Sequence, residues 1–304
     1  MRWRRMIAPQ PGGDLVLQVE DGGTWREATP AEVSERLWAP APVKEGVLVD
    51  AWQPGALTLP LQPRSFRDCS LYERHWVQSS RGYVHRFMPA VAVFTDVFEA
   101  VLRRPFPAFR PHPLARSQPV YYFGNHLSFV PSGTPVCAPA FTRALDYELE
   151  LGLVLRSPLR NATPDEALAA IGGFVVVNDW SARDVQRAEM ATGLGPQKSK
   201  HFCSSMSAEC VDAADVLDRI ESLAAVVEVN GRALARTSTA GMLHRWGQTL
   251  AALSRDETLL SGELIASGTL PDGSAMENGH WPQPGDRLRL HIEGVGQIEH
   301  QVRA

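Results

Sequence analysis

The stretch that most constrains this chain runs from Leu145 to Leu155. Its odd positions, Leu145, Tyr147, Leu149, Leu151, Leu153 and Leu155, are all apolar, and the even positions Asp146, Glu148 and Glu150 are acids. A period of two is the pattern of a strand that turns one face to a core. The other face then carries Glu148 and Glu150 side by side. Two such carboxylates repel each other unless something cationic sits between them. A hard divalent ion held by oxygen ligands is one resolution. A solvated strand face is the other, and the alternation by itself leaves both open.

The rest of the chain sets the class. At 304 residues it can bury a sizeable core in one or two domains. A net charge of −4 announces no nucleic-acid or membrane partner. The basic start, Arg2, Arg4 and Arg5, is not followed by the apolar run of an export signal, and no apolar run reaches the length of a membrane-spanning helix. A cytoplasmic protein is therefore expected. Cys69, Cys137, Cys203 and Cys210 lack metal-ligand spacing and are expected to be free thiols.

Strand patterns dominate. Leu15–Val19, Gly46–Val49, Tyr121–Phe123, Phe174–Asp179, Val226–Val229, Leu264–Thr269 and Arg287–Ile292 read as strands, with an Asn230-Gly231 turn after one of them. Helix starts are written at Thr29-Pro30-Ala31-Glu32 and at Thr163-Pro164-Asp165-Glu166, each with an N-cap Thr and Pro at the first helical position. The Ala-Pro-Ala-Pro run at 39–42 reads as a spacer. Five prolines between Pro105 and Pro119 make a loop. The polar stretch 69–88 lacks a core pattern and reads as a mobile loop that closes over a site. Helical patterns are few, so the expected class is α+β with β dominant. Residues 1–60 read as a small N-terminal, β-rich lobe without visible chemistry.

Several polar residues stand out against this background. If the chain turns helical after Asp68, then Asp68 and His75 lie near one face. Otherwise Asp68 is a helix N-cap and His75 a surface residue. Asp179 closes a continuous β-branched run, a poor packing choice and a useful ligand position. Arg183 and Gln186 share a helical face at i, i+3. Lys200 sits in the Gly- and Lys-rich loop 193–202, which does not match a phosphate-binding loop. Glu277 falls in a loop after the strand that ends near Thr269.

Three motifs in order, Asp146-Tyr147-Glu148-Leu149-Glu150, Val177-Asn178-Asp179-Trp180-Ser181-Ala182-Arg183-Asp184-Val185-Gln186 and Ser267-Gly268-Thr269, closely resemble the fumarylacetoacetate hydrolase family. The resemblance covers roughly residues 60–304, which makes 61–304 a catalytic domain of that family's mixed β-sheet roll type, in a chain of compact bacterial size. It implies one divalent cation, magnesium first and manganese or calcium otherwise, held by Asp68, Glu148, Glu150 and Asp179. It further implies His75 as general base, Glu277 as its acidic partner, Lys200 in a catalytic or oxyanion role, and Tyr122, Arg183, Gln186 and Thr269 as substrate contacts. A homodimer is implied as well. Where the family usually has a Gly-Lys loop, this chain reads Ser199-Lys200-His201.

The implied reaction is hydrolysis of a carbon–carbon bond in a 1,3-dicarbonyl acid, an acylpyruvate or a fumarylacetoacetate-like compound, through a cation-stabilised enolate. Decarboxylation of a 2-oxo acid, and isomerisation or hydration of an unsaturated oxo acid, are the alternatives within the family. A non-catalytic ligand-binding scaffold is the alternative of another class. Intact His75, Glu277 and Lys200 count against that last alternative.

Overall fold

In the computed structural model the described residues are 1–10, 13–43 and 52–304. The strand expected at Gly46–Val49 lies outside them. Leu149, Leu151, Leu153 and Leu155 all enter one core, as the alternation predicts. Each fully buried leucine contributes about 1.5–3 kcal/mol of apolar transfer. The opposite face is not solvated, however. Val154 packs there into a second core with Val175, Val177, Leu264 and Ala266, and the strand Glu148–Leu155 is buried along its whole length. Glu148 and Glu150 are 4% and 1% exposed, which rules out the solvated-face alternative.

That strand is central in a large mixed sheet. The strand order is Thr24–Glu27, Leu15–Asp21, Arg2–Ile7, Glu209–Asp212, Ile171–Asp179, Glu148–Leu155, Leu264–Ser274, Phe66–Cys69, Tyr121–Gly124. The three N-terminal strands thus continue the same sheet as the rest. Ala39 and Pro40, expected in a spacer, accept hydrogen bonds from the buried Arg5 guanidinium, and Ala39 joins the second core. A second sheet, Arg232–Ser238, Ala224–Val229, Arg287–Ile292, Gly296–Arg303 and Val136–Cys137, closes over the first core with Val227, Leu290 and Ile298. The architecture is a strand-dominated α+β roll.

The local signals at helix starts hold. Thr29 and Thr163 both cap, and Glu32 and Glu166 complete reciprocal capping boxes. Asn230 and Gly231 both take positive φ, 53° and 78°, in the hairpin expected there. All four cysteines are free. Among the described residues no helix is long and apolar enough to cross a membrane.

Three expectations fail on helices. The stretch 69–88 is not a loop: Glu73–Phe87 is a fifteen-residue helix, followed directly by the helix Pro89–Leu102. Only Val77 and Val84 of the first are buried, so its apolar stripe is too narrow to show a helical period. Asp68 is neither an N-cap nor on a helix with His75. It lies on the strand Phe66–Cys69, while His75 lies on the helix that follows. Glu277 likewise sits on a short helix, Ala275–Asn278, rather than in a loop.

Candidate active site

Sheet register collects the acids. Glu150 pairs across the sheet with Val177 on one side and Thr269 on the other. Ala266 pairs with Asp68, and Asp68 with Tyr122. Because side chains alternate along each strand, Glu148, Glu150, Asp179, Asp68 and Tyr122 share one face at neighbouring levels. A bulge between Ala266 and Thr269 adjusts the level. Gly268 makes it, at φ 75°, where a Cβ would stand 2.3 Å from the Cys69 carbonyl oxygen. Only glycine fits there.

The acids line, or lie beside, a cavity of about 470 Å³ that also holds His75, Arg183, Gln186, Lys200 and Thr269. Every site residue named from the sequence is thus brought to this region, with Asp179 and Glu277 just behind the cavity wall. Tyr122 donates its hydroxyl to Asp179 at 2.6 Å, and Thr269 to Glu150 at 3.4 Å. Arg183 donates to Asp146, Glu148 and Gln186. The Lys200 ammonium bridges Glu148 and Asp179.

These contacts divide the acids electrically. Burial alone would raise Glu148, but Arg183, Lys200 and His75 overcome it and hold this carboxyl well below its ordinary range. Burial, then the neighbouring acids, push Asp68 and Glu150 well above theirs, with no adjacent cation to compensate fully. Burial would lower Lys200 too, but Asp179 and Glu148 keep it charged.

His75 lies 3.0 Å from Glu277 through Nδ1 and 3.7 Å from Glu148 through Nε2, on a side chain 12% exposed. Its Nδ1 makes no aligned hydrogen bond as the ring stands. Glu277 is fixed by the Asp272 backbone N–H at 3.1 Å and the Ser274 hydroxyl at 2.9 Å.

Asp68 Oδ1 and Glu150 Oε2 are buried without a hydrogen-bond partner. Orphaned carboxyl oxygens of this kind, in an all-oxygen set, suit a hard divalent cation rather than zinc. Among the described residues no three His, Cys, Asp or Glu side chains stand ready-gathered as a ligand cluster. Lys200 supplies the positive charge between Glu148 and Asp179 instead.

The signature described as fumarylacetoacetate (FAA) hydrolase C-terminal matches residues 95–303. The chain belongs to the fumarylacetoacetate hydrolase family. Members of this family typically bind a divalent metal. The human mitochondrial oxaloacetate tautomerase FAHD1 is 29% identical over 187 residues, 61% of this chain and 81% of that protein. The Escherichia coli oxaloacetate tautomerase YcgM is 28% identical over 178 residues, 58% of this chain and 78% of that one. A solved fumarylacetoacetate hydrolase from psychrophilic Exiguobacterium antarcticum superposes with TM-score 0.72 at 22% identity, covering 100% of this chain and 99% of that one.

Within this family site, sequence reasoning missed three supporting residues. Asp146 accepts from the backbone N–H groups of Ala275 and Met276 at 2.7 and 3.2 Å while holding Arg183. It therefore ties Arg183 to the helix that carries Glu277. The Asn178 side chain accepts the Glu148 backbone N–H at 2.9 Å. Glu189 accepts from Gln197 N–H, Ser199 N–H and the Ser199 hydroxyl, pinning the loop that carries Lys200. Asp146 and Asn178 stand inside the quoted motifs. Glu189 had no signal, since only the fold brings it to its loop.

Proposed function

We propose that this enzyme hydrolyses a carbon–carbon bond in a 2,4-dioxo acid, with a divalent cation, magnesium first, held by Asp68, Glu148, Glu150 and Asp179. The observation that carries the reading is the position of His75, between the buried Glu277 and the acidic cluster in one cavity. When bound, the cation would act as a Lewis acid toward the chelating oxygens of the substrate.

The chain's own residues supply the rest. His75 takes a proton from water, and the hydroxide adds to the C4 carbonyl carbon. Glu277 faces the ring and offsets the imidazolium charge that forms. The C3–C4 bond then breaks: C4 leaves as a carboxylic acid, and its bonding pair stays on C3 as an enolate. His75 returns its proton to C3, which restores the base. Arg183 and Lys200 balance the acids and attract an anionic substrate, and Gln186 adds a neutral polar contact. Tyr122 and Thr269 orient Asp179 and Glu150 through their hydroxyls.

A second reading has an observation of its own. The relatives quoted above are named oxaloacetate tautomerases. His75 moving a proton on and off C3, without water attack, would perform that chemistry here. Assays of 2,4-dioxo acids and 2-oxo acids with Mg²⁺ and Mn²⁺ separate the two. A carboxylic acid and a 2-oxo acid as products support hydrolysis, and enol–keto exchange without cleavage supports the second reading. The assembly is proposed as a homodimer, for which light scattering should give twice the chain mass.

A further inference from the structure

The cavity has two unlike ends. Its floor is the buried cluster of acids with Arg183 and Lys200. Its mouth is built by the helix Glu73–Phe87, which turns Trp76, Ser80 and Tyr83 into the cavity, and by Tyr121, Met190 and Gly195. Trp76, Ser80 and Tyr83 are half-buried and Met190 is exposed, so this end faces outward. None of the six carries a charge.

We infer that the part of the substrate beyond C4 is a neutral apolar acyl tail, alkyl or aryl, and not one ending in a second carboxylate. This rests on the dioxo-acid reading above. All the cations that line the cavity are at the floor and already committed. Arg183 is taken by Asp146 and Glu148, Lys200 by Glu148 and Asp179, and His75 faces Glu277. The polar groups at the mouth are hydroxyls and one indole N–H, Trp76 Nε1, which is buried without a partner. Such groups satisfy a carbonyl or ether oxygen. They do not repay the desolvation of a carboxylate. The Trp76 and Tyr83 rings offer large apolar faces instead.

Three arginines lie near enough to need an account. Arg74 is paired with Asp272 and Arg116 with Glu73. Arg187 is exposed, lies over the Tyr83 ring at 5.2 Å and does not line the cavity.

The test uses two inert compounds with one head and different tails, N-phenyloxamate and N-oxalylglycine, titrated by calorimetry into the Mg²⁺-loaded protein. N-Phenyloxamate is expected to bind about ten-fold tighter or more, the scale of one unmatched charge. Ser80→Lys, which places an ammonium at the mouth, is expected to erase or reverse that order. Arg187→Gln is expected to leave it unchanged. Equal binding, or tighter binding of N-oxalylglycine, overturns the neutral tail, and a preference for N-oxalylglycine lost in Arg187→Gln would identify the cation responsible. If neither compound binds, the oxo-acid head itself is wrong, and the tail assignment falls with it.

Discussion

His75 Nδ1 lies 3.0 Å from Glu277 Oε2, and the Glu277 side chain is fully buried. The imidazole and the carboxylate come from two helices, Glu73–Phe87 and Ala275–Asn278, packed against each other at Gly82 and Met276. Glu277→Gln keeps the shape and removes the charge that offsets imidazolium. It should lower kcat by about 10²-fold, the lower range for general-base chemistry. Mg²⁺ affinity measured by calorimetry should stay within a few-fold of wild type, because Glu277 is not assigned to the cation.

The close approach of those helices gives a second prediction. A Cβ on Gly82 would fall 1.6 Å from the Met276 carbonyl oxygen, so Gly82→Ala must push the helices apart. Overpacking of this kind costs about 1–3 kcal/mol. Displacing His75 from Glu277 should also cost about ten- to a hundred-fold in kcat. Thermal melts beside steady-state kinetics check both parts.

The unpartnered oxygens of Asp68 and Glu150 predict a conflict between stability and binding. Burial and the neighbouring acids push both carboxyls well up, so their charged forms destabilise the metal-free fold at neutral pH. Asp68→Asn and Glu150→Gln should each stabilise the chelator-treated protein, on the order of 1 kcal/mol. Both should lose the rise in Tm that Mg²⁺ gives wild type. At about a hundred times Kd that rise corresponds to about 2.7 kcal/mol. Melts with EDTA and with Mg²⁺ read both effects.

Acid sensitivity should trace in part to His300. Its Nδ1 faces the Thr134 carbonyl oxygen at 2.6 Å, and its ring meets Trp180 edge-on. Burial pushes the imidazole from its ordinary 6.5 down to about 4. The unfolded chain therefore binds the proton first. His300 costs nothing above pH about 6.5, and stability falls as pH drops from there toward about 4. The loss is up to about 3 kcal/mol across that window. His300→Gln should flatten this part of the slope in urea unfolding, whatever its effect at neutral pH.

Much of this was written locally in the sequence. The Leu149–Leu155 alternation, the β-branched run into Asp179 and the two Thr-Pro capping boxes each rest on neighbours a few residues apart, and each formed as read. The acidic motifs likewise placed Glu148, Glu150, Asp179 and Arg183. What was illegible depends on distant partners. The even face of Glu148–Leu155 leaves a solvated reading open because Val154 is its one apolar contact residue, while the core on that face comes from Val175, Val177, Leu264 and Ala266. The helix Glu73–Phe87 was hidden because it buries only Val77 and Val84 in a core, while His75, Ser79 and Ser80 face the cavity beside Trp76 and Tyr83. Glu189 reaches the Lys200 loop only once the chain has turned back on itself.

The central claim is that His75 serves as the base for hydrolytic cleavage while the four carboxylates hold the cation. Product analysis of wild type and His75→Ala with acetylpyruvate and Mg²⁺, beside calorimetry of Mg²⁺ binding, tests it most directly. The account predicts pyruvate and acetate from wild type, a loss of about 10²–10⁴-fold in kcat for His75→Ala, and near-normal Mg²⁺ affinity in that variant. Full cleavage by His75→Ala, or loss of its Mg²⁺ binding, would contradict it.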